Sequence, residues 1–180
     1  MKLEVFSPQE QIPTDEDILS FWRMMSTPGQ TRWDYEDNHE FYQKPGHEVI
    51  QFFRGKALSR ATALSYWARE NGQIVGMASI DRFTAPSREH SGELGFGVRK
   101  AYQRRGIGYQ LVRAALDRAE REGLRRVECS CFAHNRPAVG LLLRAGFREE
   151  GQRIGAIQKY GQLFDVREFG LLLRTVAPGG

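Results

Sequence analysis

The stretch Val98-Arg99-Lys100-Ala101-Tyr102-Gln103-Arg104-Arg105-Gly106-Ile107-Gly108-Tyr109 constrains this chain more than any other. It predicts the end of a strand, a short basic turn and the start of an amphipathic helix. The first N–H groups of a helix have no intrahelical partners and point outward, so they bind anions. Gly106 and Gly108 carry no Cβ, so a phosphate can approach the main chain closely. A strand running through such a turn into a helix predicts a fold that mixes α and β, with a phosphorylated ligand at the junction.

The flanking sequence extends this pattern in both directions. Lys2 to Phe6 alternates as a short strand. Thr14 with Asp17 resembles a capping box, and Ile18, Phe21, Trp22 and Met25 follow at helical spacing, predicting a helix from about Asp15 to Met25. Residues 26–60 hold Trp33, Tyr35, Phe41, Tyr42, Phe52 and Phe53, broken by Pro28 and Pro45, with short helices expected around 36–43 and 47–54. These aromatics either pack under a loop or form a wall facing the substrate. Thr62–Arg69 and Gln73–Phe83 form a hairpin about Asn71-Gly72, with Gly76 marking a bulge. Gly92–Val98 is the strand entering the basic turn. Its helix ends at Gly123. A strand over Arg125–Phe132 follows, then a helix opened by Asn135 and Pro137 and stopped at Gly146. Two closing strands, 147–156 and 163–173, meet near Tyr160-Gly161. The expected class is α+β: a mostly antiparallel sheet with one splayed parallel pair, flanked by helices. One domain is expected over residues 1–175, with a disordered tail at 176–180.

Composition narrows the setting. At 180 residues and 41% hydrophobic content the chain can fill one core. No segment reaches transmembrane length, and Met1-Lys2-Leu3-Glu4 does not begin a signal peptide. Cys129 and Cys131 lie two apart on one strand, too far apart for an easy disulfide, which suits reduced thiols in a cytoplasmic protein. No Cys/His cluster accompanies them, so no metal site is expected. Net charge is only +4, yet Arg99–Arg126 holds nine basic residues against three acidic ones. That excess suits an anionic ligand, and by charge alone would also suit nucleic acid.

The turn is not Gly-x-x-x-x-Gly-Lys-Ser/Thr. Nor is it Gly-x-Gly-x-x-Gly, because Gln110 and Leu111 follow Gly108. What remains, Gln103-x-x-Gly106-x-Gly108, resembles the acetyl-CoA pyrophosphate loop of the GNAT acetyltransferase superfamily. The resemblance extends over roughly residues 60–173. It includes Asn71-Gly72-Gln73-Ile74-Val75-Gly76, Glu93 to Leu111, and Glu128 through Asn135 to Ala145-Gly146-Phe147. It implies a GNAT-type fold that transfers acetyl from acetyl-CoA directly to an amine in a ternary complex. Main-chain groups of Phe96, Gly97 and Val98 would pair with the pantetheine arm. In the loop opened by Gln103, amides from Arg104 through Arg105, Gly106, Ile107 and Gly108 to Tyr109 would hold the pyrophosphate. Arg104 and Arg105 would add charge, and Asn135 would bond the cofactor arm. Homodimers are common in the family.

Amine acetylation needs a base, and a carboxylate near the thioester can serve. Glu93, at the start of the strand ending in Val98, is the first candidate, and the alternative is a surface glutamate paired with an arginine. His90 and Glu128 are weaker candidates. Many members carry a tyrosine seven residues after the motif asparagine, as the acid for the departing thiolate. Here that position is Leu142, and Leu141-Leu142-Leu143 reads as core. Tyr160 is the substitute candidate acid, with water as the alternative. No histidine is placed to support a covalent route through either cysteine. The expected acceptor is a protein N-terminus, a small amine or polyamine, or an aminoglycoside-like compound, with Asp34, Glu36, Asp37 and Glu40 either drawing it in or forming a solvated helix face. No nucleic-acid or membrane partner is expected. The rival to the enzyme is a catalytically silent acyl-CoA-binding domain, favoured by Leu142. A nucleic-acid module is a remoter rival, resting on charge alone.

Overall fold

A computed structural model describes residues 3–26, 45–54, 63–159 and 161–174. The expected helix at 36–43, the aromatics and acids between 33 and 42, Tyr160 and the 176–180 tail lie outside them.

Local rules place the elements. Thr14 and Asp17 close a reciprocal cap. The Asp17 carboxylate accepts from the Thr14 amide at 3.0 Å and hydroxyl at 2.9 Å, and Thr14 Oγ1 accepts from the Asp17 amide at 3.1 Å. Helix α1, Asp15–Ser26, follows. Arg69 clasps the same carboxylate at 2.9 and 2.7 Å, tying the cap to the sheet. Burial alone would raise the Asp17 pKa. The Arg69 and Thr14 hydrogen bonds outweigh it and hold the carboxyl below its ordinary value.

Among the described residues the sheet has seven strands: β1 (Glu4–Phe6), β2 (Ala63–Glu70), β3 (Gln73–Arg82), β4 (Ser91–Val98), β5 (Arg126–Phe132), β6 (Arg148–Lys159) and β7 (Gln162–Leu172). Their spatial order is β1-β2-β3-β4-β5-β7-β6. Asn71 (φ 53°) and Gly72 (φ 71°) turn β2 into β3, as the Asn-Gly pair predicts. The register steps from Ala68↔Gly76 to Arg69↔Ile74, leaving Val75 as the extra residue of a bulge beside Gly76. A Cβ on Gly76 would lie 3.0 Å from Leu111 Cδ1, so glycine lets the next helix sit close.

That helix, α3 (Ile107–Arg121), is the crossover between β4 and β5, the parallel pair. Their pairing spans only Ser91↔Arg126, Gly92↔Val127 and Glu93↔Glu128, and the strands part beyond it. Helix α4, Arg136–Arg144, follows β5. One sheet face packs Ala68, Ala78 and Ile80 under Leu111, Ala115 and Leu142 of α3 and α4. The other packs Trp67, Ile74 and Met77 against α1 and α2 (Gly46–Phe52), with Phe21 stacked on Trp67 at 4.7 Å. The helix expected at 47–54 is α2.

Most boundaries fall within one or two residues of expectation; the ends of β6 and β4 and one packing expectation are instructive. Strand β6 runs to Lys159 because its register shifts between Arg153 and Ile157. There Gly155 (φ 58°) donates its N–H to Asp165 Oδ1 at 2.8 Å, so the strand continues past an irregularity that reads in sequence as an end. Strand β4 begins at Ser91, one residue early. Of the three leucines, only Leu142 is core. Leu143 is half exposed and Leu141 is partly buried, because successive helical positions face different directions.

Candidate active site

The basic turn is held by side chains that a charge count would assign to a ligand. The Arg99 amide donates to Val75 O at 2.8 Å. Its guanidinium donates to Ile74 O and Ser20 O, each at 2.8 Å, binding the β3 bulge to α1. Gln103 Nε2 donates to Val98 O at 2.9 Å and closes the turn back onto the end of β4. Arg104 (φ 64°) and Gly106 (φ 80°) then adopt the left-handed conformation. No side chain caps α3. No described backbone carbonyl accepts from the amides of Arg104 to Tyr109. This run of unpartnered donors at a helix start fits a pyrophosphate.

A cleft of about 690 Å³ opens where β4 and β5 part, walled by α3 and α4. Glu93, Phe96, Gly97, Val98, Gln103, Arg104, Gly106, Ile107, Gly108, Tyr109 and Asn135 all line it. Beyond Glu93 the β5-side edge of β4 has no strand partner among the described residues, so its main-chain groups face the cleft as a sheet edge would. That edge fits a pantetheine arm lying as an added strand. Gly108 lets α3 approach α4, since a Cβ there would stand 3.0 Å from Leu141 Cδ1. Asn135 is buried and caps α4, its side chain accepting from the Ala138 amide at 3.4 Å.

Arg105 departs from expectation. It does not line the cleft, and its guanidinium instead grips the buried carboxylate of Glu70 at 2.7 and 3.0 Å. The local excess of positive charge is largely spent in the same way. Arg113 pairs with Asp117 at 2.5 Å, Arg118 with Glu122 and Glu10, and Arg126 with Glu128 and Glu150.

Glu93 is exposed, and its carboxylate forms no hydrogen bond or ion pair with the side chain of a described residue, while its main chain is paired within the sheet. In register, Asp81 of β3 and Glu128 of β5 flank it, placing three carboxylates in one row on one sheet face. Glu128 is held by Arg88 at 2.8 Å and Arg126 at 3.1 Å. His90 is not part of the cleft lining, and its carbonyl accepts the amides of Arg125 and Arg126. Both cysteines line the cleft as thiols. Burial pushes the Cys129 pKa far up and that of Cys131 to about 11, so neither is a ready nucleophile.

Sequence reasoning missed Arg144, whose guanidinium lies 4.2 Å from the centre of the Tyr109 ring across the cleft wall. A signal was present. Pro137, Gly140, Leu141 and Arg144 recur at helical spacing and together form the face that α4 turns to the cleft.

The profile of the acetyltransferase (GNAT) family matches residues 21–147. YwnH of Bacillus subtilis, provisionally named a phosphinothricin acetyltransferase, is 27% identical over 122 residues, 67% of this chain and 74% of that protein. The L-amino acid N-acetyltransferase AaaT of Escherichia coli is 31% identical over 83 residues, 45% of this chain and 51% of its own length. Among solved structures, YncA of Salmonella typhimurium, provisionally assigned as an acetyltransferase and solved with its cofactor acetyl-CoA, superimposes with a TM-score of 0.77. It is 17% identical, with 100% of this chain and 99% of that one covered, which establishes a shared fold.

Proposed function

The chain belongs to the GNAT acetyltransferase family, and from that premise we propose that it acetylates the α-amine of a small amino-acid-like molecule. The observation that carries the reading is the parting of β4 and β5, with amides that no described carbonyl accepts at one end of the cleft and a carboxylate that no described cation pairs at the other. The two relatives, one named for phosphinothricin and one for L-amino acids, support a small α-amino acceptor over the wider range of amines that the sequence admits.

Acetyl-CoA, when bound, supplies an activated acetyl thioester. The edge of β4 from Phe96 to Val98 would hold its pantetheine arm, and the amides from Arg104 to Tyr109 its pyrophosphate. Asn135 would bond the arm where α4 begins. A carboxylate oxygen of Glu93 accepts a proton from the acceptor's ammonium, directly or through one water, leaving a neutral amine to attack. Asp81 beside it adds a second carboxylate to the cleft wall, which suits an ammonium group, whereas the charge of Glu128 is already met by Arg88 and Arg126. Leu142 is fully buried and supplies no proton, so Tyr160 or water serves the departing thiolate.

The test is acetyl-CoA-dependent thiol release across L-amino acids, phosphinothricin, polyamines, aminoglycosides and N-terminal peptides. Turnover confined to the first two classes is the expected result. Turnover confined to peptides or polyamines would overturn the acceptor reading. Tight acetyl-CoA binding without release on any acceptor would favour the silent binding domain.

A further inference from the structure

We propose that Glu70 is a positioning residue for the pyrophosphate turn, acting through Arg105, an inference that rests on the reading of that turn as the acetyl-CoA site. Glu70 is the last residue of β2, and its side chain is 4% exposed. Its carboxylate takes both ends of the Arg105 guanidinium, at 2.7 and 3.0 Å. A buried carboxylate is costly unless paired, and a two-point Arg–carboxylate contact fixes direction as well as distance. Glu70 therefore transmits the rigidity of the β2–β3 hairpin to the turn.

The turn requires such an anchor. Arg104 sits at φ 64°, a conformation that a residue with a side chain adopts only when its surroundings enforce it. Its two neighbours do the enforcing. Before it, Gln103 is tied to Val98 O; after it, Arg105 is tied to Glu70. The Tyr102 ring, 5.4 Å from the Arg105 guanidinium carbon, adds a third contact. Arg104 is bracketed, and the amides that follow are presented in one fixed arrangement. On this account Arg105 serves the phosphate through its geometry, with its charge already neutralised by Glu70.

Calorimetric binding of two probes separates this role from a general structural one. Acetyl-CoA carries the pyrophosphate, and S-acetylpantetheine ends before it. E70Q is expected to weaken acetyl-CoA about tenfold, the scale of a lost charged hydrogen bond, while S-acetylpantetheine changes less than about twofold. R105K keeps the charge but loses the planar fork, and is expected to match E70Q. The double variant is expected to be no weaker than either single one. Acetyl-CoA binding to E70Q at or above the wild-type affinity would overturn the proposal and make Arg105 a direct phosphate ligand. Equal weakening of both probes would overturn it in favour of a general packing role. Failure of the folded wild type to bind acetyl-CoA would instead overturn the reading of the turn, and this inference with it.

Discussion

At its Val98 end β4 leads into main-chain groups, whereas at its Glu93 end it presents one side chain. The first end is built from backbone conformation: a left-handed Arg104, a left-handed Gly106 and a run of amides that no described carbonyl accepts. The second is built from register: Glu93 is flanked by Asp81 and Glu128 because three strands align there, and it lies exposed where the pairing of β4 with β5 ends. Recognition through the main chain leaves its mark in glycine spacing. Recognition through a side chain depends on which distant residues pair with its neighbours. The proposed division of labour is affinity for the cofactor at one end and proton transfer at the other, and it can be broken by substitution.

The largest effect belongs to the side-chain end. Glu93→Gln keeps the shape and removes the proton acceptor. Loss of a general base lowers kcat by roughly 10²–10⁴-fold. Acetyl-CoA affinity, measured by calorimetry, is expected to stay unchanged. A variant with wild-type kcat would remove Glu93 from the mechanism, and one that lost cofactor affinity would show that the two ends are not separable.

A smaller effect is expected at the backbone end. A Cβ on Gly106 would meet nothing within 4 Å, so Gly106→Ala tests conformation without a clash. Forcing alanine to φ 80° costs about 1–2 kcal/mol. If the bound state needs that conformation, acetyl-CoA affinity falls about fivefold to thirtyfold while kcat at saturation holds. An equal fall in kcat would mean that the turn also aligns the reacting end.

The same contrast explains what the sequence made legible. Gly106, Gly108 and the strand before them announced an anion-binding turn, since those residues answer to local geometry. The Asn71-Gly72 hairpin, the Thr14–Asp17 cap and the Asn135 helix start were legible for the same reason. The fate of Arg105 was not. Its partner Glu70 lies 35 positions away, and only the stacking of β2 beside α3 brings them together. Arg99 was likewise read as charge for a ligand, though it hydrogen-bonds Ile74 and Ser20 across the fold. Burial lowers its pKa, the mark of a cation used in structure. Long side chains choose partners through tertiary contacts, so a count of basic residues overstated what remained for a phosphate. The Leu141-Leu142-Leu143 run misled in the opposite sense, because three adjacent apolar residues cannot share one helix face.

The smallest effect on the site is expected from Asp17, and it tests whether α1 is coupled to the turn. The folded pKa of Asp17 is depressed, so its stabilisation is fully present above the unfolded value near 3.8 and is lost as pH falls through the folded value. Asp17→Asn should lower the urea midpoint at pH 7 and shrink the further loss on acidification. It should not abolish that loss, since Glu122, Glu149 and Glu150 are also held below their ordinary values by arginines. Ser20, one turn further along α1, accepts from Arg99 at the entrance to the turn, so a shifted helix would have a route to the cofactor end. Ile18, Phe21 and Met24 are buried against the sheet and fix α1 independently of its cap. Acetyl-CoA affinity at pH 7 is therefore expected to remain at the wild-type value in Asp17→Asn while stability falls. Parallel loss of both would show that the cap supports the turn through Arg99, and that the Val98 end of β4 is less local than its sequence pattern implies.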